Sequence, residues 1–586
     1  MLSMTAAYRP YLVPAKIVAA VSFATGLDVL LAAARGWTLR AEAARTVAVE
    51  ALLLLPLIVP LVLLVCRRWP SRRPWRDTAT LALLGALMLA GAVAVPIRGR
   101  SLLRAPIRRN GESANAARPN LILVVLDTMR ADHLGVYGYP RPTSPWLDRF
   151  AEHAIVFETA ISPSSWTLPA HATLFTGLFP RTHGADIVPS GTGTSLARLG
   201  READSADVRA LPPAAVTLAE LAKHAGMETG AICANSAYLY REFGLDQGFD
   251  TYVDAIGSEA GHRPKGLALG LWMGLDRFRA FRRLIQANER SYLLAPEVNS
   301  LALRWLTARL DRRFLLFLNY MDTHVPRVPP LRYRRLFPAA IHPASVDVDA
   351  IRSRTRPILP AEHEGLVDVY DASVRHVDAE LERLFAALES QGVLEHTVVV
   401  IVGDHGESLG EHHDIEHANG AYATEVHVPL LVRLPGQIAG RRVADVVHLA
   451  DVLPTLVDLL GLESPPDVQG SSLLGTERRF PAVSFTAPYR DLAIVHPRYY
   501  YRSHHAIYRD PWVLISRSDG ERELYDFRAD PDQEHDLAAT RSAEVAALSA
   551  ELLRFEGEVQ PRFEHETTTL LDEEARQRLR ALGYSN

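Results

Sequence analysis

Cysteine is nearly missing from this chain: Cys66 and Cys233 are the only two among its 586 residues. Cys66 closes an apolar run and Cys233 falls in a core-like strand, so the pair is poorly suited to a disulfide. Two cysteines also exclude a cysteine-built zinc site. Lysine is almost as scarce, with Lys16, Lys223 and Lys265 alone; arginine carries the positive charge. A formal net charge of -5 is small for this length. It carries no footprint of nucleic-acid binding, which needs a clustered basic face. Internal repeats are absent as well, so a solenoid or propeller is not indicated. The length exceeds what one hydrophobic core needs, and more than one domain is expected.

What is present is unevenly placed. Three charge-poor apolar runs open the chain, near 12–34, 47–66 and 78–97. Each is long enough to cross about 30 Å of hydrocarbon as a helix, and together they predict a multi-pass anchor over 1–97 with the lipid bilayer as partner. Pro56 and Pro60 are tolerable inside such helices. The first run is the weakest, since it contains Lys16 and Asp28. Five arginines between the second and third runs, flanked by Trp69 and Trp75, belong on the cytoplasmic side by the positive-inside rule. A third crossing then puts everything after residue 98 outside, in the periplasm or extracellular space, although five more arginines in RGRSLLRAPIRR oppose that orientation. Residues 98–118 read as a polar linker.

From residue 119 the pattern becomes α/β. NLILVVLD (120–127) and TVVVIVGDH (397–405) are β-branched runs of the kind found in buried parallel strands. FLLFLNYMD (314–322) and VPLLVRLP (428–435) supply further strands, and 366–392 has the spacing of a crossover helix. One large domain over 119–480 follows, with a small α+β subdomain over 481–586 marked by short strands, a DG turn and closing helices. Two stretches, 186–210 and 252–297, read as loops that carry specificity.

Three segments carry chemistry. VVLDTMRADHLG places Asp127 at a strand's carboxyl end, where open α/β sheets keep ligands; taken alone, it is equally a turn or cap residue. In SSWTLPAHATLFTG, Thr167 two residues before Pro169 reads as a helix N-cap, and a helix start is also a ready anion site. VGDHGESLGEHHDIEH brings Asp404 and His405 to a second strand end, a mixed oxygen and nitrogen donor set suited to a divalent ion.

These segments, with DQGFDTY, YDASVRHVD, VVHLADVLPTLVDLLGL and ELYDFRADPDQEHDL in order, resemble the sulfatase-like branch of the alkaline phosphatase superfamily over nearly all of the chain beyond residue 118. The resemblance implies an alkaline-phosphatase-like sandwich around a central, mostly parallel sheet. It implies one divalent metal ion (zinc, manganese, calcium or magnesium) held by Asp127, Asp404 and His405, with the nucleophile Thr167 as fourth ligand. His324 and His417 fall where such enzymes bind the substrate or protonate its leaving group; for His171 two readings stand, a group that holds an oxygen of Thr167 or of the substrate and a helix-surface histidine one turn past the cap. Asp322, His324 and His417 are a candidate set for a second ion, with His183 as support.

The chain departs from true sulfatases at the nucleophile. They oxidise a Cys or Ser in Cys/Ser-x-Pro-x-Arg to an aldehyde, whereas this chain has Thr167, Pro169 and, in place of the arginine, His171. Threonine cannot give that aldehyde. The expectation is therefore a metal-dependent hydrolase or transferase of phosphate or sulfate esters, lipid- or glycan-linked, with a covalent Thr167 intermediate and phosphorus favoured. A sulfuric ester hydrolase using Thr directly is the alternative. A binding protein that kept only the fold is a third reading, opposed by the joint presence of Asp127, Thr167, Asp404 and His405.

Overall fold

An unbroken apolar strand needs cover on both faces, and the run at residue 120 finds it at the centre of a sheet. In the computed structural model, which describes residues 118–186, 208–235, 237–254, 292–338, 341, 346–488 and 502–563, Asn120–Leu126 (β1) lies between two fully buried neighbours. The described residues all fall in one of the chain's two compact units, Arg109–Glu259 with Glu289–Asn586. The remaining strands are β2 (Ile155–Ile161), β3 (Glu228–Cys233), β4 (Thr251–Asp254), β5 (Phe314–Tyr320) and β6 (Thr397–Gly403). A two-residue pair, β7 (Ser408–Leu409) and β8 (Ile415–Glu416), precedes β9 (His427–Arg433) and β10 (Arg441–His448).

Eight of these form one sheet in the order β10-β2-β9-β6-β1-β5-β3-β4. All neighbours are parallel except β9, which runs against both β2 and β6. The run at 428–435 is thus the reversed strand of an otherwise parallel sheet. The crossover helix expected over 366–392 spans Pro360–Ser390. Its first two turns are polar and escape the apolar period. They are set by Pro360 and by the Glu362 carboxylate, which accepts the Leu359 N–H at 2.9 Å.

The second sheet is an antiparallel meander of β11 (Ala482–Thr486), β12 (His504–Arg509), β13 (Trp512–Arg517) and β14 (Arg522–Asp526). The DG turn lies between the last two strands, with Gly520 at a left-handed φ of 93°. The helix Ser542–Glu558 buries Leu548, Leu552 and Phe555, one face at helical spacing, against this sheet. Phe555 meets Phe179 with ring centroids 4.8 Å apart, joining the meander's core to the larger sheet's loops.

The three expected membrane spans and nearly all of the linker lie outside the described residues, as do most of 186–210 and 252–297. Among the described residues no helix is long and apolar enough to cross a membrane.

Candidate metal centre and active site

β1 and β6 are parallel neighbours paired Leu126 to Gly403, so the next residue of one and of the other, Asp127 and Asp404, emerge together at the sheet's carboxyl edge. The chain after Asp127 turns sharply: Thr128 adopts φ 56°, an uncommon and strained conformation for a β-branched residue. Thr128 N–H thereby donates to Asp404 Oδ1 at 3.2 Å, and its carbonyl accepts from the Tyr370 hydroxyl at 2.7 Å. Asp404 Oδ1 also accepts the His405 N–H at 2.8 Å, while Asp127 Oδ2 accepts from Asn235 Nδ2 at 2.9 Å. One oxygen of each carboxylate is therefore fixed. The other two, Asp127 Oδ1 and Asp404 Oδ2, are buried with no hydrogen-bond partner.

His405 completes the cluster. Its Nδ1–H donates to the Gly406 carbonyl at 2.9 Å, which leaves the Nε2 lone pair facing the carboxylates, 3.4 Å from Asp404 Oδ2 and 3.9 Å from Asp127 Oδ1. Gly406 is required here because a Cβ would lie 2.1 Å from the Thr424 carbonyl oxygen. Ligand atoms of Asp127, Asp404 and His405 all lie within 4.8 Å of one another, and no other such cluster occurs among the described residues. Two orphaned carboxylate oxygens and an imidazole lone pair, all fully buried, fit a divalent cation of borderline hardness.

The carboxyls show the same need for positive charge. Burial, with repulsion from Asp404, pushes Asp127 up to about 8, and burial pushes Asp404 up to about 8. Both lie above the ordinary value near 3.9 that the unfolded chain has. The unfolded state therefore loses these protons first. The metal-free protein keeps this contribution to stability below about pH 4 and loses it as pH rises towards 8. Thermal melts of chelator-treated protein are expected to show a lower Tm at about pH 8 than at about pH 5, with a smaller drop in Asp127→Asn.

The helix Thr167–Thr176 starts beside this cluster, and here the sequence expectation needs correcting. Thr167 is the first helical residue, Trp166 holds the N-cap position, and no side chain caps the helix. The Thr167 hydroxyl donates instead to His405 Nε2 at 3.3 Å, so it serves the cluster rather than its own backbone. His171, one turn on, is fully buried: its Nδ1–H donates to the Thr167 carbonyl at 2.9 Å and sits 3.5 Å from Asp404 Oδ2. Burial pushes this imidazole down to about 3, so it is neutral.

Two further histidines come to the same place. The His417 ring lies 4.6 Å from His405 and 4.9 Å from His324, centroid to centroid. Burial holds both His417 and His324 well below the ordinary imidazole range. His324 Nδ1 donates to the Val325 carbonyl at 2.5 Å. The loop bearing His417 is tied to the loop bearing Thr167, because Ala418 N–H donates to the Ser165 carbonyl at 3.0 Å. The C-terminal meander holds both loops: Thr486 accepts from Ser165 Oγ at 2.9 Å and donates to the Gly420 carbonyl at 2.7 Å.

Asp322 and His183 do not join the site. Asp322 accepts the Ala295 N–H at 3.0 Å and pairs with His376 at 3.2 Å, so it closes a helix start. His183 accepts from the Ala185 N–H at 3.1 Å and bonds Thr173 at 3.1 Å within the helix's own neighbourhood. The candidate set for a second ion is accordingly not assembled. Residues the sequence did not single out are Asn235, Arg327 and Glu407. Glu407 lay within the Asp-His-Gly-Glu motif, so a signal existed; Asn235 and Arg327 have no local pattern. Arg327 forms an ion pair with fully buried Glu407, whose other oxygen is 3.8 Å from His417 Nδ1. Arg327→Leu strands that carboxylate, with an expected loss of about 3–5 kcal/mol in denaturant melts. The Arg327→Leu, Glu407→Gln double variant is expected to recover much of it.

With this geometry in place, comparisons with known proteins are specific. A family model described as Sulfatase matches residues 119–462, and one described as N-sulphoglucosamine sulphohydrolase, C-terminal, matches 410–556. A protein named "Sulfatase" from Formosa agariphila is 24% identical over 449 residues, covering 71% of this chain and 82% of that one. Among solved structures, the phosphonate monoester hydrolase of Agrobacterium radiobacter superposes with a TM-score of 0.57 at 20% identity, covering 75% of this chain and 96% of that one. A protein in complex with its substrate D-glucosamine-2-N,6-O-disulfate gives 0.56 at 20% identity, covering 75% and 97%. At these identities the two structures speak to the fold.

Proposed function

Since the chain belongs to the sulfatase family and is thereby a hydrolase acting on ester bonds, we propose that it is a membrane-tethered member that cleaves phosphate esters, phosphodiesters first, through a covalent intermediate on Thr167. The observation that carries the reading is the Thr167 hydroxyl, unengaged by its own helix and 3.3 Å from His405 Nε2. Asp127, Asp404 and His405 would hold the metal ion, with the Thr167 oxygen beside it. Such an ion, when bound, supplies charge that acidifies a hydroxyl and polarises the ester's oxygens.

The chain's own groups do the rest. Thr167 Oγ1 releases its proton to solvent and forms a bond to phosphorus as the bond to the leaving oxygen breaks. His417 or His324 gives that oxygen a proton. Both imidazoles are neutral before substrate arrives, and an anionic ester supplies the negative charge that favours their protonated forms. His171, neutral and bonded to the Thr167 carbonyl, steadies the helix start beside Asp404. Water, or an acceptor alcohol in a transfer reaction, then attacks phosphorus and returns the Thr167 hydroxyl. Two in-line displacements give net retention.

A sulfated substrate is the second reading, favoured by the match of 410–556 to the N-sulphoglucosamine sulphohydrolase C-terminal model. Thr167 cannot become an aldehyde, so a sulfo-threonine would have to be cleaved directly, without the second hydroxyl that expels sulfate from a hydrated aldehyde. Purified protein is expected to turn over an aryl phosphodiester faster than the matching aryl sulfate. Faster sulfate turnover would reverse the choice. The tether over 1–97 rests on the three apolar runs, and a lipid- or glycan-linked ester in the cell envelope is the substrate class it suits.

A further inference from the structure

The stretch immediately after His324 has an uncommon surface. Residues 325–338, VPRVPPLRYRRLFP, contain four arginines and no acidic residue. Two aromatics spaced four apart fix it to the body: Tyr333 and Phe337 are buried and pack with Ala372 of the long helix Pro360–Ser390. The Arg141 guanidinium lies 4.7 Å from the centre of the Phe337 ring, closing that face. Around these anchors the same stretch presents three large apolar side chains, Val328 53%, Leu331 60% and Leu336 56% exposed. Single exposed leucines are ordinary on protein surfaces. Three in one anchored stretch, interleaved with exposed Arg332, Arg334 and Arg335, are a pattern of apolar insertion beneath a basic collar.

The charge on this side is not cancelled. Arg334 and Arg335 have no ion-pair partner among the described residues. Arg332 lies 4.6 Å from the centre of the Tyr333 ring, and its one ion-pair contact among the described residues is Glu380 at 4.0 Å, a carboxylate already held by Arg383 at 2.6 Å. The stretch also begins at the active site: Arg327 pairs with Glu407 beside His417, and Val328 is the next residue.

We infer that residues 325–338 form an interfacial docking element for an anionic phospholipid bilayer. Leu331, Leu336 and Val328 enter the headgroup boundary, and Arg332, Arg334 and Arg335 pair with lipid phosphates. This rests on the reading of the enzyme as membrane-tethered and adds to it that the site's rim works at the lipid surface, where a lipid-linked ester is presented. The tether alone would leave the catalytic unit free to hang away from the bilayer. Contact through this rim would hold the site against it.

The test uses the full chain reconstituted in lipid nanodiscs, with Cys66→Ser and a Leu331→Cys site carrying an environment-sensitive fluorophore; Cys233 is fully buried. In phosphatidylglycerol-containing discs the label is expected to shift to shorter wavelength and to be quenched by nitroxides on lipid chains. A label at exposed Ile438 is expected to do neither. Arg332→Gln, Arg334→Gln and Arg335→Gln together are expected to lower the docked-to-free ratio on the order of 100-fold, with turnover of a soluble aryl ester unchanged. A Leu331 label that remains in water on anionic discs would overturn the inference. So would a shift equal in purely zwitterionic discs, or one produced by a soluble sulfated glycan in place of lipid. Co-elution of the chain with the discs reports the tether by itself, so a water-exposed label on disc-bound protein is a failure of docking and not of the tether, and the readout is independent of the Thr167 mechanism.

Discussion

Thr167→Ala is expected to abolish turnover of the enzyme's best aryl ester, with kcat lowered on the order of 10⁴-fold and KM little changed, because the attacking atom itself is removed. The substitution should leave the fold intact. Thr167 makes no cap bond to its helix, and its hydroxyl has a single partner, His405. Thr167→Ser restores a hydroxyl at the same place and is expected to recover activity to within roughly 10² of the native chain. That contrast separates a nucleophile from a packing residue. Rates measured under saturating substrate, with circular dichroism of each variant, check it; an alanine variant of native kcat would refute the covalent route.

Metal removal is expected to be nearly as costly. Exhaustive chelation should lower kcat/KM on the order of 10³-fold or more, with recovery on adding back a divalent ion, since several kcal/mol of transition-state charge stabilisation leaves with the ion. Asp404→Asn should resist that recovery. It removes one of the two carboxylates whose unpartnered oxygens face the cluster, and its Oδ1 also holds the Thr128 and His405 N–H groups. Asn235→Ala removes the outer contact to Asp127, together with the Oδ1 that accepts the Ala237 and Tyr238 N–H groups, and is expected to weaken metal affinity 10–100-fold while leaving saturated kcat close to native. Titration calorimetry of each variant with zinc and manganese reads these differences.

Much of this was visible in the sequence, for identifiable reasons. The β-branched runs ending in Asp127 and in Asp404 with His405 announced buried parallel strands and put ligands at their carboxyl ends. The structure places those ends side by side through a register that no local pattern encodes. The reversed strand β9 carries the same kind of apolar run as its parallel neighbours, so its direction was hidden. Thr167 resembled an N-cap because Ser/Thr before proline is the usual cap signature, and only the tertiary contact with His405 shows the hydroxyl turned outward. Asp322 stood two residues before His324 in sequence, yet its carboxylate pairs with His376 and accepts the Ala295 N–H, because both residues lie in the turn after β5, where strand alternation no longer sets side-chain direction. Arg327 and Glu407 are 80 residues apart and meet only in the fold.

The most direct measurement is intact-protein and peptide mass spectrometry of enzyme quenched with acid during turnover of an aryl phosphodiester. The peptide containing Thr167 is expected to carry the phosphoryl ester group left after the aryl alcohol departs, in native protein and not in Thr167→Ala. Quenched enzyme that is turning over yet carries the group on another residue, or on none under conditions where the second step is limiting, would contradict the account.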